Sequence, residues 1–484
     1  MESDDTSTIS GRSLQVGDAR APDRRYDCLD DAARLARRYL DGLRDRPVRA
    51  EKGLDELRAV LACPLSDEGE DPSVIVESLA CDVDPGLVAS GGPRYFGFVI
   101  GGAVPAAVAA DWLVSAWDQN GGGFVASPAL SVVEEVAATW IRELFGVPAS
   151  SGVGFVTGGQ MANFTCLAAA RHAVLRDAGW DVEAHGLHGA PRVRVLAGEY
   201  AHVTIGVACR LLGLGQLVDV VPADDQGRMR ANALRGALAD GPGAGDPTIV
   251  CAQAGEINTG AFDPFVDIVR ICREHRAWLH VDGAFGLWAA ASPRRRTLLV
   301  GAEQANSWAT DGHKWLNVPY DCGIAIVADP RAHRAAMTST QAYVPAHADD
   351  VPYGFDWTPE FSRRARGVTV YAALRQLGRQ GLADLVDRCC GHARLIARRL
   401  AAEPGIDILN DVVLNQVLVR FGNDDALTDT VIEQVQRDGV CWLAGSTFRG
   451  RSVMRISVVG WQTTPADAHR SADAIITAAR TAGG

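Results

Sequence analysis

The chain has 484 residues, a formal net charge of −12 and an apolar fraction of 47%. That length exceeds what a single hydrophobic core usually supports, so two or more subdomains are expected, and the acidic balance argues against nucleic-acid or membrane-surface partners, which select basic faces. Eleven cysteines are scattered singly except for Cys389-Cys390, with no CxxC pair and no zinc-type histidine spacing, so they read as reduced core thiols and no metal site is expected.

Residues 1–25 are polar and charged and lack the apolar run of a signal peptide, and no apolar stretch reaches the roughly 18 residues of a membrane span. A disordered N-terminal lead on a soluble cytoplasmic protein follows as the expectation. Residues 26–85 read as a helical segment, opened by the amphipathic "LDDAARLARRYLDGLRDRPV". Residues 86–365 read as a large α/β domain. Within it, "SPALSVVEEVAATWIRELFGV" predicts a helix with Ser127 at the cap and Pro128 at the first position. From about 150, Val- and Ile-rich runs of strand length end in Gly or Asp: "GVGFVTGG", "RVRVLAGE", "TIVCAQAG", "AWLHVDGAFG" and "CGIAIVAD". Helical stretches such as "QMANFTCLAAARHAVL" and "FVDIVRICREHR" alternate with them, predicting a mostly parallel sheet covered by helices on both faces. Ligands of such sheets gather at the carboxyl ends of the strands. Residues 366–484 read as a smaller α+β domain, with a long helical stretch, the strands "NQVLVRF" and "SVMRISVVG", and a closing helix.

Four features carry chemistry. Asp282 ends an apolar strand in "LHVDGAFG", where a turn or cap role competes with that of an acid holding a heterocycle's ring nitrogen protonated. In "GFVTGGQMANF", two glycines precede a helix whose first amides suit a phosphate, although the spacing is neither GxGxxG nor a GxxxxGKS loop. His202 stands just beyond a strand end, as a turn residue or as a ring stacked on an aromatic cofactor that relays a proton. Lys314 is one of only two lysines in a chain whose cations are otherwise arginines, and it lies 32 positions after Asp282. Arginine cannot lose its proton and condense with an aldehyde, whereas a neutral lysine amine can, given a desolvated or cation-flanked setting. Pyridoxal 5'-phosphate would use all four together: aldehyde on the lysine, ring nitrogen on the aspartate, phosphate on the Gly-Gly helix and ring face on the histidine.

"HVDGAFG", "DGHKWLNVPYDCG", "SPALSVVEEVAATWIREL" and "FSRRARGVTVYAALRQLG" together resemble the group II pyridoxal-phosphate-dependent amino acid decarboxylases of fold-type I, from about residue 85 to the end. The resemblance implies Lys314 as the Schiff-base lysine, Asp282 as the pyridinium partner, Ala284 against the ring and His202 on its other face. It implies phosphate contacts from Gly159 and Gln160, with Thr157 nearby and with Ser307 and His313 at the phosphate end. Arg455 matches a small-domain arginine that meets the substrate carboxylate, and Tyr95 and Phe96 fall in a pocket-lining segment. The family uses a loop tyrosine as a proton donor, for which Tyr343 and Tyr353 are the candidates and Tyr353 is preferred, in a Gly/Pro/Asp-rich stretch expected to move as a lid.

The implied activity is α-decarboxylation of an L-amino acid, aromatic or aliphatic, to the amine and carbon dioxide by a homodimer with its active site at the interface. Alternatives are an aldehyde synthase, an aminotransferase or other lyase on the same fold, and a non-catalytic scaffold. Three positions depart from the pattern: Gly92 where many members have His, Gly312 for Pro or Ala, and Asp311 for Asn. An acid at 311 must be paired or point away.

Overall fold

The computed structural model describes residues 24–216, 218–338, 351 and 353–483. Of the expected disordered lead, residues 1–23 lie outside the described residues, and Arg24–Tyr26 form a single 3₁₀ turn. Tyr343 also lies outside them.

The chain divides into two compact units. The smaller comprises residues up to Gly42 together with Ala50–Leu87. It holds the helices Asp27–Gly42, Leu54–Leu61 and Pro72–Val83. The third starts where the sequence chemistry dictates, since Asp71 accepts from the Ser73 amide at 2.9 Å and Pro72, having no amide hydrogen to leave unpaired, occupies the first turn.

The larger unit, Leu43–Arg49 with Val88–Gly484, contains two sheets. Its main sheet is built from β1 (Gly152–Val156), β2 (Arg194–Gly198), β3 (Asp219–Val221), β4 (Thr248–Gln253), β5 (Trp278–Asp282), β6 (Ser307–Asp311) and β7 (Gly323–Val327), in the order β1-β7-β6-β5-β4-β2-β3. Only β7 runs antiparallel to its neighbours. All residues of β1, β2 and β4 to β7 are buried, because helices cover both faces, and this is why they read as continuous apolar runs rather than alternating ones. The direction of the strands brings the carboxyl ends of β1, β2, β4, β5 and β6 to one edge.

The second sheet comprises β8 (Ile406–Ile408), β9 (Gln416–Phe421), β10 (Ala444–Phe448) and β11 (Arg451–Ser457), antiparallel in the order β10-β11-β9-β8. Tyr95 bridges Trp442 beside it, and Phe96 donates to the Trp442 carbonyl at 2.7 Å. The long helix Gly367–Ala401 breaks at Gly378, whose φ of 61° a side chain would resist. Its start is anchored by a buried ion pair in which Arg363 donates to both Glu134 oxygens, at 3.0 and 2.5 Å, while the Gly367 amide donates to the same carboxylate at 2.9 Å.

Among the described residues no helix is long and apolar enough to cross a membrane, and no group of three or more metal-binding side chains occurs. The cysteines are free, and most are buried as expected, but Cys63 and Cys81 are exposed rather than in a core.

Candidate active site

Lys314 follows the end of β6 in a turn fixed from several sides. The Cys322 carbonyl accepts from the Gly312 amide at 3.0 Å, and the Cys322 amide donates to His313 Nδ1 at 3.0 Å. Asn317 donates from Nδ2 to the carbonyls of Trp315 and Val459, at 2.8 and 3.0 Å. Trp315 and Leu316 are fully buried and act as anchors. The amine of Lys314 reaches Asp311 Oδ2 at 2.8 Å. Its nearest charged neighbour is therefore a carboxylate rather than a flanking cation, while the side chain itself is largely desolvated. His313 Nε2 lies 3.3 Å from Asp311 Oδ1, so the acid that departs from the family pattern is paired with His313 and Lys314, two and three positions after it. Gly312 also has a packing reason, since a Cβ there would sit 3.0 Å from Cys322 Sγ. At Gly92, a Cβ would lie 3.1 Å from the carbonyl oxygens of both Ala89 and Leu43.

Beside this turn, β1 ends at Val156 and Thr157 leads into the helix Gly159–Asp177. The first intrahelical bond runs from the Ala162 amide to the Gly158 carbonyl at 2.8 Å, so the amides of Gly159, Gln160 and Met161 precede the helical ladder. A Cβ on Gly159 would stand 2.8 Å from Asp311 Oδ2, and one on Gly158 would stand 3.2 Å from His313 Cε1. The two glycines thus let the Asp311–His313 pair come up against a helix N-terminus, a setting whose amides suit a phosphate.

Asp282 closes β5 with its carboxylate buried and held by two donors. Asn163 Nδ2 donates to Oδ2 at 3.1 Å and the Ala284 amide donates to Oδ1 at 3.1 Å. Asn163 also touches His280 Nε2 through Oδ1 at 2.9 Å and Thr204 Oγ1 through Nδ2 at 3.1 Å. His202 caps the helix Val203–Leu211, with Nδ1 2.9 Å from Thr204 Oγ1. The atoms packed around its imidazole push its pKa down. Lys314 and Arg455 act in the same direction and Asp282 opposes them, which puts all four groups in one electrostatic neighbourhood.

Several expectations need correction. Ser307 is fully buried at the start of β6, where it accepts from Trp278 Nε1 and contacts His280 Nδ1, both at 2.9 Å, so it has no role at a phosphate. Phe96 is 1% exposed within the main core and offers no surface to a substrate. Tyr353 is buried, packs on Phe355 and lies over Gly123. It lines a cavity of about 260 Å³ with Glu134, Trp357 and Arg363, and none of the Lys314 cluster lines that cavity. Arg455 lies close enough to His202 to bear on its charge. Arg455 is buried on β11 with Nε lacking a hydrogen-bond partner among the described residues. Tyr95 stacks on Trp442 at 5.0 Å, and Tyr320 stacks on His313 at 4.2 Å.

Asn163, Thr204 and His280 were not anticipated. His280 and Asp282 are two residues apart on a strand and so share a face, and Asn163 is four residues beyond Gly159 on one helix face. Polar residues at those spacings inside apolar elements are the signal that could have found them.

Taken together, the amide-rich glycine turn, the aspartate at a strand end, the adjacent histidine and the sole lysine of this unit match the groups pyridoxal phosphate needs. Comparison with known proteins agrees. The pyridoxal-dependent decarboxylase conserved domain matches residues 55–421. The L-2,4-diaminobutyrate decarboxylase of Rhizobium meliloti (strain 1021) is 31% identical over 78% of this chain and 76% of its own length. The aromatic-L-amino-acid decarboxylase of Bacillus atrophaeus is 25% identical over 88% and 89%. The solved structure of Oryza sativa TDC with PLP and tryptamine shares the fold, with a TM-score of 0.88 at 23% identity over 97% of this chain and 99% of that one. The chain belongs to the pyridoxal-dependent decarboxylase family.

Proposed function

We propose that the chain removes the α-carboxyl group of an L-amino acid, releasing the amine and carbon dioxide, and that it works as a cytoplasmic homodimer. The observation that carries this reading is the convergence of Lys314, Asp282, His202 and the Gly158–Gly159 helix start at the carboxyl edge of one sheet. When bound, pyridoxal phosphate supplies an electron sink for the bond that breaks. Lys314 would hold its aldehyde carbon, and Asp282 would keep its ring nitrogen protonated. Ala284 and His202 would flank the ring, and Thr157, the amides of Gly159 and Gln160, and His313 would surround the phosphate.

Arg455, a buried guanidinium whose Nε has no partner among the described residues, is suited to orient the substrate carboxylate. The apolar wall of Tyr95, Phe98 and Trp442 favours an aromatic or aliphatic side chain. Eleven free cysteines suit a reducing compartment. Exposed Trp112, Leu113, Trp117, Val125 and Val132 suit a face covered by a second subunit. Sedimentation at nanomolar concentration tests the dimer, and a fully active monomer would refute it.

The activity is tested by incubating the cofactor-loaded protein with a panel that includes the twenty common amino acids and L-2,4-diaminobutyrate. Carbon dioxide and an equal amount of amine, without hydrogen peroxide, are expected. Peroxide with ammonia would identify an aldehyde synthase, a keto acid without carbon dioxide an aminotransferase, and a colourless protein that takes up no cofactor a scaffold.

A further inference from the structure

Beneath Asp282 runs a line of buried polar groups that the roles above leave unused, and its proton positions can be worked out from both ends. At one end Trp278 Nε1 can only donate, and it donates to Ser307 Oγ at 2.9 Å. Ser307 has one proton of its own, and its other partner is His280 Nδ1 at 2.9 Å. At the other end the Asp282 carboxylate can only accept, so the Asn163 atom 3.1 Å from Oδ2 is the amide nitrogen. Its carbonyl oxygen then faces His280 Nε2 at 2.9 Å, which requires a proton on Nε2.

His280 is fully buried, and desolvation pushes its pKa down to about 4, so it carries one proton only. Nδ1 is therefore bare and accepts from Ser307, which agrees with the count from the tryptophan end. The second Asn163 amide proton points at Thr204 Oγ1, 3.1 Å away. The Thr204 hydroxyl proton is left for His202 Nδ1 at 2.9 Å, and the Thr204 backbone amide points at the same nitrogen at 3.4 Å. His202 then has its proton on Nε2. No polar side-chain atom of Ser307, His280, Asn163, Thr204 or Asp282 is left without a partner.

We propose that Asn163 is a positioning residue whose amide, oriented by His280, holds the Asp282 carboxylate in place and, through Thr204, fixes the proton of His202 on Nε2. Acid and histidine are thereby set as one unit. A flip of the Asn163 amide would turn its carbonyl towards the carboxylate and set two acceptors against each other, so the fixed ends of the line allow one orientation only. The inference rests on the cofactor reading for its consequence in catalysis, but not for the proton positions, which belong to the protein alone.

The test is nitrogen-15 NMR of histidine-labelled full-length protein, with and without pyridoxal phosphate, with His202 assigned by its loss in His202→Gln. Wild type should show His202 as a single Nε2-protonated form in both states. Asn163→Leu and the near-isosteric Thr204→Val should each give a mixture of the two ring tautomers, and Thr204→Ser should restore the single form. In the loaded enzyme Asn163→Leu should lower kcat by about tenfold, the scale of one hydrogen bond to a charged group, with KM changed by less than about threefold. The proposal is overturned by a wild-type His202 protonated on Nδ1. It is equally overturned if Asn163→Leu and Thr204→Val both leave the tautomer and kcat unchanged while lowering only Tm. Because the tautomer is read without cofactor, a protein that fails to decarboxylate any amino acid still answers the question about Asn163.

Discussion

The floor and the mouth of the site handle polar groups in opposite ways. In the floor, from Trp278 through Ser307, His280 and Asn163 to Asp282, each polar side-chain atom has a partner and the side chains are almost wholly buried. At the mouth, Asp311 Oδ1 meets only the His313 ring at 3.3 Å, without a well-formed hydrogen bond, and Arg455 Nε has no hydrogen-bond partner among the described residues, although both residues are buried. A satisfied buried network is rigid and specifies one arrangement, whereas an unsatisfied buried group costs free energy until something completes it. The floor is therefore preorganised, and the mouth holds the spare bonding capacity that a charged ligand would use.

The comparison can be broken or sharpened by variants in each region. The largest effect belongs to the mouth: Lys314→Ala should abolish amine formation, since no other lysine lies in this unit. At the junction of the two regions, Asp282→Ala should lower kcat by roughly a hundred- to a thousandfold, the scale of removing one charge-stabilising group from a preorganised site. Steady-state rates by amine release would measure both.

Arg455→Met should split two properties that usually move together. KM should rise by roughly ten- to a hundredfold, the worth of a hydrogen bond to a charged group, while Tm should rise as well, because a buried guanidinium with an unpartnered Nε has been removed. A fall in Tm would mean that the guanidinium is satisfied in the folded chain.

The smallest effect is in the floor and concerns acid. Burial lowers the pKa of His280 to about 4, so the unfolded chain takes up the proton first as pH falls. Its contribution to stability is complete above about 6.5, the ordinary histidine value, and is lost on descent towards about 4. Urea midpoints measured across that window should fall less steeply for His280→Gln, which has no proton to gain.

Much of this was legible in the sequence, for physical reasons that differ between elements. β1, β2, β4, β5 and β7 announced themselves as apolar runs because helices cover them on both faces. β6 was missed although it delivers Lys314: "SWATD" is short and mixed in polarity because Ser307 and Thr310 spend their hydroxyls on internal hydrogen bonds. Lys314, Asp282 and His202 were visible because their side-chain chemistry is scarce at strand ends. Ser307 and Phe96 were misassigned because nearness in sequence to a site does not say which way a side chain points. At Tyr353 a Gly/Pro/Asp-rich stretch reads as exposed and loose, whereas here the Phe355 amide is tied to the Gly122 carbonyl at 3.0 Å and the tyrosine ring is buried. Asn163 was invisible because an asparagine inside a helix acquires meaning only when a strand places a carboxylate and a histidine beside it.

The central claim is that Lys314 carries the cofactor, and the chain's scarcity of lysine makes that directly measurable. The protein is loaded with pyridoxal phosphate, reduced with borohydride and digested, and the modified peptide is sequenced by mass spectrometry. The reduced cofactor is expected on Lys314, in the peptide containing "DGHKWLNVPYDCG", and absent from Lys52. A label on Lys52, or none on either lysine after loading at saturating cofactor, would contradict the account.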